Sequence, residues 1–142
     1  MDKYDVLKLS NQMCFPLYAA SREVIKRYRP YLDALDLTYT QYIAMMVFWE
    51  ERKISVRDLG TRLFLDSGTL TPVLKSLEAK GYIQRYRCPE DERIVIAEIT
   101  EEGDALKEQA VTIPERIAGC FSLSPEEALQ LHTILHKLLS QA

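Results

Sequence analysis

Hydrophobic positions along this chain recur mostly at intervals of three and four, the spacing of one helix face, with polar punctuation between the stretches. Ser10 opens a first helix, expected to run to about Tyr28 with Pro30 beyond its end. Thr38-Tyr-Thr-Gln41 has the form of a capping box and leads into Ile43, Met46, Val47 and Trp49. Ser55-Val-Arg-Asp58 marks a third start, reaching about Leu63. A fourth helix opens near Asp66-Ser67 and carries Leu70, Val73, Leu74 and Leu77, and Gly81 suits a left-handed stop. The period then changes. Tyr82–Arg87 and Arg93–Ile99 hold β-branched and aromatic residues on either side of Cys88-Pro-Glu-Asp, which predicts a two-stranded hairpin. Thr100 caps a fifth helix ending around Gly119. Ser124-Pro-Glu-Glu127 starts a sixth, with Ala128, Leu131, Leu135 and Leu138 on one stripe.

The third and fourth helices are short and separated only by Phe64-Leu65, the pattern of a helix-turn-helix. The hairpin that follows reads as a wing. The expected fold is therefore mainly α: an α+β winged helix-turn-helix of six helices with a two-stranded β-hairpin. The first, fifth and sixth helices carry more apolar surface than a small winged domain needs. A dimer interface would use it; a monomeric helical core is the alternative. On the dimer reading, one domain spans residues 1–142, with dimerisation helices in 1–35 and 101–142 and a DNA-binding part in 38–100.

Composition narrows the class. A chain of 142 residues, 47% hydrophobic and 27% charged, has the make-up of one globular domain and excludes wholesale disorder. Three cysteines, Cys14, Cys88 and Cys120, do not make a disulfide framework. No apolar run reaches the roughly 18 residues of a membrane span. The charged N-terminus is unlike a signal peptide, so a cytoplasmic protein without membrane contact is expected. The net charge of −3, taken as a total, argues against nucleic acid. Its distribution does not: residues 1–97 hold 15 Lys/Arg against 13 Asp/Glu, whereas residues 98–142 hold 3 against 8. A local basic face governs phosphate contact, whatever the total.

The fourth helix begins Asp66-Ser-Gly-Thr-Leu-Thr-Pro72. Small hydroxyl residues cap free N–H groups and let a helix end approach phosphates and base edges. Ser67, Thr69 and Thr71 are short enough for this, and Lys75 lies one turn on; plain capping is the alternative use. Pro72 is tolerable only near the first turn. The hairpin supplies Arg85, Arg87 and Arg93. A wing arginine in the minor groove responds to groove width and potential. Asp91 is placed to orient Arg93 through a charge-assisted contact. A solvated hairpin of mixed charge is the bland reading.

These same residues carry a resemblance. The run Leu65-Asp-Ser-Gly-Thr-Leu-Thr-Pro-Val-Leu-Lys-Ser-Leu-Glu78, then Asp91-Glu-Arg93 and Ile99-Thr100, resembles the MarR family of winged helix-turn-helix regulators. Asn11-Gln-Met-Cys-Phe15, Leu17-Tyr18, Ser21-Arg22 and Leu37-Thr-Tyr-Thr-Gln-Tyr42 are similar to the OhrR group, repressors that sense organic hydroperoxides through one N-terminal cysteine. The likeness covers about residues 9–140. It implies a homodimer knotted by its terminal helices, two recognition helices on palindromic double-stranded operator DNA, and wings in the flanking minor grooves. It assigns sensing to Cys14, with Tyr28 and Tyr39 as hydroxyl partners of the sulfur.

The residues around Cys14 support that chemistry independently. A peroxide oxidises a thiolate, and the start of a helix favours an anion. Phe15 and Leu17 offer an apolar surface to an organic peroxide. A buried inert thiol is the commoner fate of a free cysteine. Pro16 departs from the OhrR pattern: it either begins the helix, leaving the sulfur at the dipole's positive end, or kinks it. Cys120 is the candidate resolving cysteine, from the partner subunit; a small cellular thiol is the alternative. Cys88, in the hairpin beside Pro89, is incidental.

Other classes fit less well. His132 and His136 share a face of the last helix, but no Glu stands beside them as in a metalloprotease motif, so they read as a polar stripe. No phosphate-binding glycine loop or nucleophile triad appears, and neither enzyme activity nor a cofactor is expected. The main rival is a MarR-like regulator released by a small aromatic or phenolic ligand in a cleft lined by Phe15, Tyr28, Tyr39 and Trp49. A broader thiol-stress sensor, answering hypochlorite, quinones or other electrophiles, would use the same Cys14.

Overall fold

The structure, a computed structural model, describes residues 2–142. Two 3₁₀ turns, Lys3–Leu7 and Leu9–Asn11, precede α1 (Cys14–Asp33) and α2 (Tyr39–Glu51). Then follow β1 (Lys53–Ser55), α3 (Val56–Leu63), α4 (Ser67–Ala79), β2 (Ile83–Cys88) and β3 (Asp91–Ile99). The chain ends with α5 (Glu101–Ala105), α6 (Lys107–Ala110), α7 (Ile113–Ala118) and α8 (Pro125–Leu139).

The caps explain most of the helix starts. Thr38 and Gln41 close the capping box on α2, and Ser124 and Glu127 close another on α8. Ser55, Asp66 and Thr100 each accept the free N–H three residues on. Phe64 stops α3 in the left-handed region at φ 56°, which turns the chain into α4. Gly81, at φ 81°, performs the stop after α4, where a side chain would be strained.

Four expectations need correction. Ser10 lies in a 3₁₀ turn and α1 starts at Cys14, so Pro16 is the third helical residue, where its missing N–H costs no intrahelical bond. Pro30 falls inside α1, which continues to Asp33 because Leu32 is anchored in the core at 2% exposure. The expected fifth helix is broken into α5, α6 and α7; the backbone stays right-handed at Leu106 and Val111, but Pro114 supplies no N–H and its neighbours Val111, Thr112 and Ile113 are β-branched. The hairpin gains a third strand. β1 pairs antiparallel with β3, giving the order β1-β3-β2, with a register irregularity at Arg87/Cys88.

One core serves the centre of the chain. Phe48 and Met45 of α2, Leu59 of α3, Leu70, Leu74 and Leu77 of α4 and Ile83 of β2 are its largest fully buried side chains. Leu106, Ala110, Ile113 and Ile117 extend it. The terminal helices differ: α1 buries only Leu32, and α8 buries nothing. Leu129, Leu131, Ile134, Leu138 and Leu139 of α8 are exposed, as are Phe15, Leu17 and Tyr18 of α1. Patches of this kind mark association surfaces.

Candidate functional site

The start of α4 is built from short polar side chains. Asp66 Oδ1 accepts the Thr69 N–H at 2.7 Å, and this bond holds the Asp66 carboxyl below its usual range. Thr71 Oγ1 donates to the Ser67 carbonyl at 2.7 Å. Ser67, Thr69 and Lys75 are exposed, and the Ser67 hydroxyl makes no internal bond among the described residues. Pro72 is the sixth helical residue, past the first turn, so the Gly68 carbonyl loses its intrahelical donor.

Beside α4 runs a groove of about 1260 Å³ between α3 and the wing, lined by Arg57, Thr71, Arg85, Asp91 and Arg93 among others. Arg93 is the wing's outstretched cation, its side chain 89% exposed. Asp91 grips it bidentately: Arg93 Nε donates to Oδ1 at 3.0 Å and Nη2 to Oδ2 at 3.1 Å. The guanidinium holds the Asp91 carboxyl low, and the carboxylate raises the Arg93 pKa in return. Such a fork fixes direction more than it adds stability at an exposed site.

Arg85 has a partner inside the fold. Its Nη2 donates to Glu78 Oε1 at 3.0 Å and its backbone N–H to Glu78 Oε2 at 2.9 Å, and these bonds lower the Glu78 carboxyl. Arg85 Nε is buried without a partner. Its guanidinium thus ties β2 to α4, whereas Arg93 is free to reach outward. Arg87 Nη1 donates across the turn to the Glu92 carbonyl at 2.9 Å. Arg57, on α3, was not singled out by the sequence because no hairpin or capping pattern marks it.

The thiols are far apart in one chain. Cys14 is exposed at the first position of α1. Among its exposed neighbours are Met13, Phe15, Leu17 and Tyr18. Tyr28 lies fourteen residues on, roughly 21 Å along the helix axis. Its ring meets Tyr39 edge-on at 5.0 Å and Tyr42 at 5.7 Å. Burial, reinforced by Tyr39 and Tyr42, pushes the Tyr28 hydroxyl up to about 12, and burial also raises Tyr39. Both phenols therefore remain donors at neutral pH, yet neither reaches Cys14 of its own chain. Cys120 Sγ donates to the Arg116 carbonyl at 3.3 Å, and Arg116 stacks on Tyr31 with its guanidinium carbon 5.7 Å from the ring centre. Cys120 accordingly belongs to the end of α1 opposite Cys14. Cys88 sits in the wing, its S–H donating to Glu90 at 3.1 Å.

The aromatic cleft is also rearranged. Tyr28 and Tyr39 pack on each other, and Phe15 is at the far end of α1. A cleft of about 380 Å³ is lined instead by Tyr42, Met46, Trp49, Lys107, Val111 and Pro114 among others. His132 and His136 face one another on α8 with Nε2 atoms 3.1 Å apart. Among the described residues, no group of three or more His, Cys, Asp or Glu side chains is placed to hold a metal, and no helix is long and apolar enough to cross a membrane.

Comparisons with known proteins agree on the architecture. A profile described as "Transcriptional regulator SarA/Rot" matches residues 25–110. The chain is 50% identical to the organic hydroperoxide resistance transcriptional regulator of Bacillus subtilis, over 97% of this chain and 94% of that one. It is 47% identical to the HTH-type transcriptional regulator SarZ of Staphylococcus haemolyticus, over 93% and 90%. Reduced AbfR bound to DNA superposes with a TM-score of 0.80 at 31% identity, covering 99% of this chain and 96% of that chain. AbfR, a Staphylococcus epidermidis protein, is also known overoxidised on DNA and in a disulfide form.

Proposed function

Because this chain belongs to the SarA/Rot transcriptional regulators, as a MarR-type winged-helix protein akin to the hydroperoxide-resistance regulators, we propose that it is a dimeric operator-binding repressor switched by oxidation of Cys14. The observation that carries the reading is the pairing of an exposed N-terminal thiol with a complete recognition helix and wing in one chain. The 50% identity to a hydroperoxide-resistance regulator supports the oxidant class.

Two copies join through the exposed apolar faces of α1 and α8 and present two α4 helices to a palindromic site. Half-sites are read about 34–36 Å apart, one turn of duplex. Ser67, Thr69, Thr71 and Lys75 approach phosphates and base edges in the major groove, and Arg93, held by Asp91, enters the minor groove. Arg85 contributes by bracing the wing. Such a protein works in the cytoplasm, next to its DNA.

The sensor is completed across the dimer. Since Tyr28 and Tyr39 lie a helix length from Cys14, the sulfur takes its hydroxyl donors from Tyr28 and Tyr39 of the partner subunit. The Cys14 thiolate attacks one peroxide oxygen and the O–O bond breaks. The alkoxide leaves as alcohol after taking a proton, and the sulfur becomes a sulfenic acid. The Cys120 thiol of the partner subunit then displaces water and an intersubunit disulfide forms. AbfR, on DNA in both reduced and overoxidised forms and also found as a disulfide, supports giving the release to the disulfide step.

Non-reducing electrophoresis after a stoichiometric dose of an organic hydroperoxide tests this assignment. Covalent dimer is expected from the wild type and from Cys88→Ser, and none from Cys14→Ser or Cys120→Ser. A Cys120→Ser protein that still cross-links contradicts it.

A second reading is favoured by the 380 Å³ cleft against Trp49: release by a small aromatic ligand. Trp49 fluorescence quenched by phenolic compounds, with operator release that survives Cys14→Ser, would favour that reading.

A further inference from the structure

Gln41 is the one polar side chain buried in the described core, at 7% exposure. A buried amide costs free energy unless its hydrogen bonds are made. Here they lead to the cap of its own helix and to the end of α4. Gln41 Oε1 accepts the Thr38 N–H and the Lys80 ammonium, each at 3.1 Å. Gln41 Nε2 contacts Ser76 Oγ at 2.9 Å. Lys80 Nζ also donates to the Asp36 carbonyl and stands 3.7 Å from the Asp36 carboxylate. Asp36 turns the chain between α1 and α2 at φ 55°. Ser76 and Lys80 belong to the far end of α4, three turns from its DNA-facing start.

Gln41 also lies between Tyr39 and Tyr42 in the first turn of α2. Both rings pack on Tyr28 of α1. The tyrosine cluster and the end of the recognition helix are therefore joined through one short, fully bonded polar link. Met45 and Phe48 of α2 and Leu74 and Leu77 of α4 also share the apolar core, where packing tolerates small slips without losing a directional partner. Hydrogen bonds do not: they fix position and direction together.

We propose that the Gln41–Ser76–Lys80–Asp36 network is the positioning relay that transmits displacement of the Tyr28/Tyr39 cluster to the recognition helix. Gln41, Ser76 and Lys80 act through α4, not by touching DNA. The proposal rests on the Cys14 switch for its stimulus, but the link itself is a property of the fold. When the cluster is in place the link is unstrained, and α4 rests at the angle its apolar packing sets, which fits both half-sites. When the tyrosines lose their sulfur partner, the first turn of α2 shifts, and the link pulls the end of α4 with it.

The test measures operator Kd for reduced and peroxide-oxidised forms of full-length wild type, Ser76→Ala and Gln41→Met. The site is selected by the reduced protein from a random-sequence pool. Reduced affinities are expected to stay within about threefold of wild type, while the oxidised-to-reduced ratio of Kd shrinks by about tenfold. Cys14 oxidation rates should be unchanged. Ser76→Ala removes one atom and guards against a Gln41→Met protein that misfolds. A wild-type ratio in folded variants overturns the relay. A wild type that ignores peroxide would count against the oxidation reading instead, and the relay is then judged by a cycle of Tyr28→Ala and Ser76→Ala on reduced operator affinity. Coupling of about fivefold or more supports it, and additivity overturns it.

Discussion

Gly103 stands where a methyl group has no room. A Cβ there would lie 2.1 Å from the Tyr82 backbone oxygen, and the Gly103 carbonyl accepts the Trp49 indole N–H at 2.9 Å. The neighbouring Thr100 hydroxyl donates to the Gly81 carbonyl at 2.6 Å and accepts from the Gly103 N–H. One tight corner thus joins α2, the end of α4 and the start of α5. Gly103→Ala should destabilise the fold by about 1–3 kcal/mol, read from urea unfolding; an unchanged midpoint would contradict the close approach. Tyr28 makes a second prediction. Its pKa is raised to about 12, so the fold favours the neutral phenol. The stability this contributes is present below pH 10, the ordinary value, and is lost as pH rises toward 12. Tyrosine absorbance should show late-titrating phenols in the wild type, and Tyr28→Phe should flatten the alkaline stability loss. A protein titrating all its tyrosines near pH 10 would refute the buried cluster.

At the scale of elements, the wing and the terminal helices make separate predictions. Arg93 is exposed and its direction is set by Asp91, so Arg93→Ala should weaken operator binding about tenfold and leave peroxide reactivity unchanged. Unchanged affinity in a titration at fixed salt would remove the wing from the interface. The exposed stripe of α8 should matter for association: Leu131→Asp with Ile134→Asp is expected to give monomers by light scattering and to abolish tight operator binding. A doubly substituted protein that remains dimeric would place the interface elsewhere. The starts of α2, α3, α4 and α8 were legible in the sequence because a cap and the N–H that donates to it are local, three residues apart. β1 was not, because three residues show no alternation and its partner is β3, more than forty residues on. The fifth helix breaks at a local signal, Pro114 and the β-branched residues before it, whereas the passage of α1 through Pro30 depends on Leu32 packing in the core, which overrides local preference.

Across the whole molecule, the start of α4 and the tip of the wing were the most readable places, since a helix cap and a hairpin turn locate Ser67, Thr69 and Arg93 without knowledge of the core. The Arg85–Glu78 pair was not legible because the two residues lie on different elements. The sensor was readable only in part: Cys14 has a helix start and apolar neighbours, but Tyr28 and Tyr39 form a cluster with Tyr42 at the other end of α1. Within one chain the thiol and the two phenols therefore stand apart, at opposite ends of α1. The most direct measurement is a gel shift on a selected operator, before and after an organic hydroperoxide, for wild type and Cys14→Ser side by side. The account predicts a shift lost only in the oxidised wild type and restored by dithiothreitol. A shift lost equally in Cys14→Ser, or kept in oxidised wild type, would contradict it.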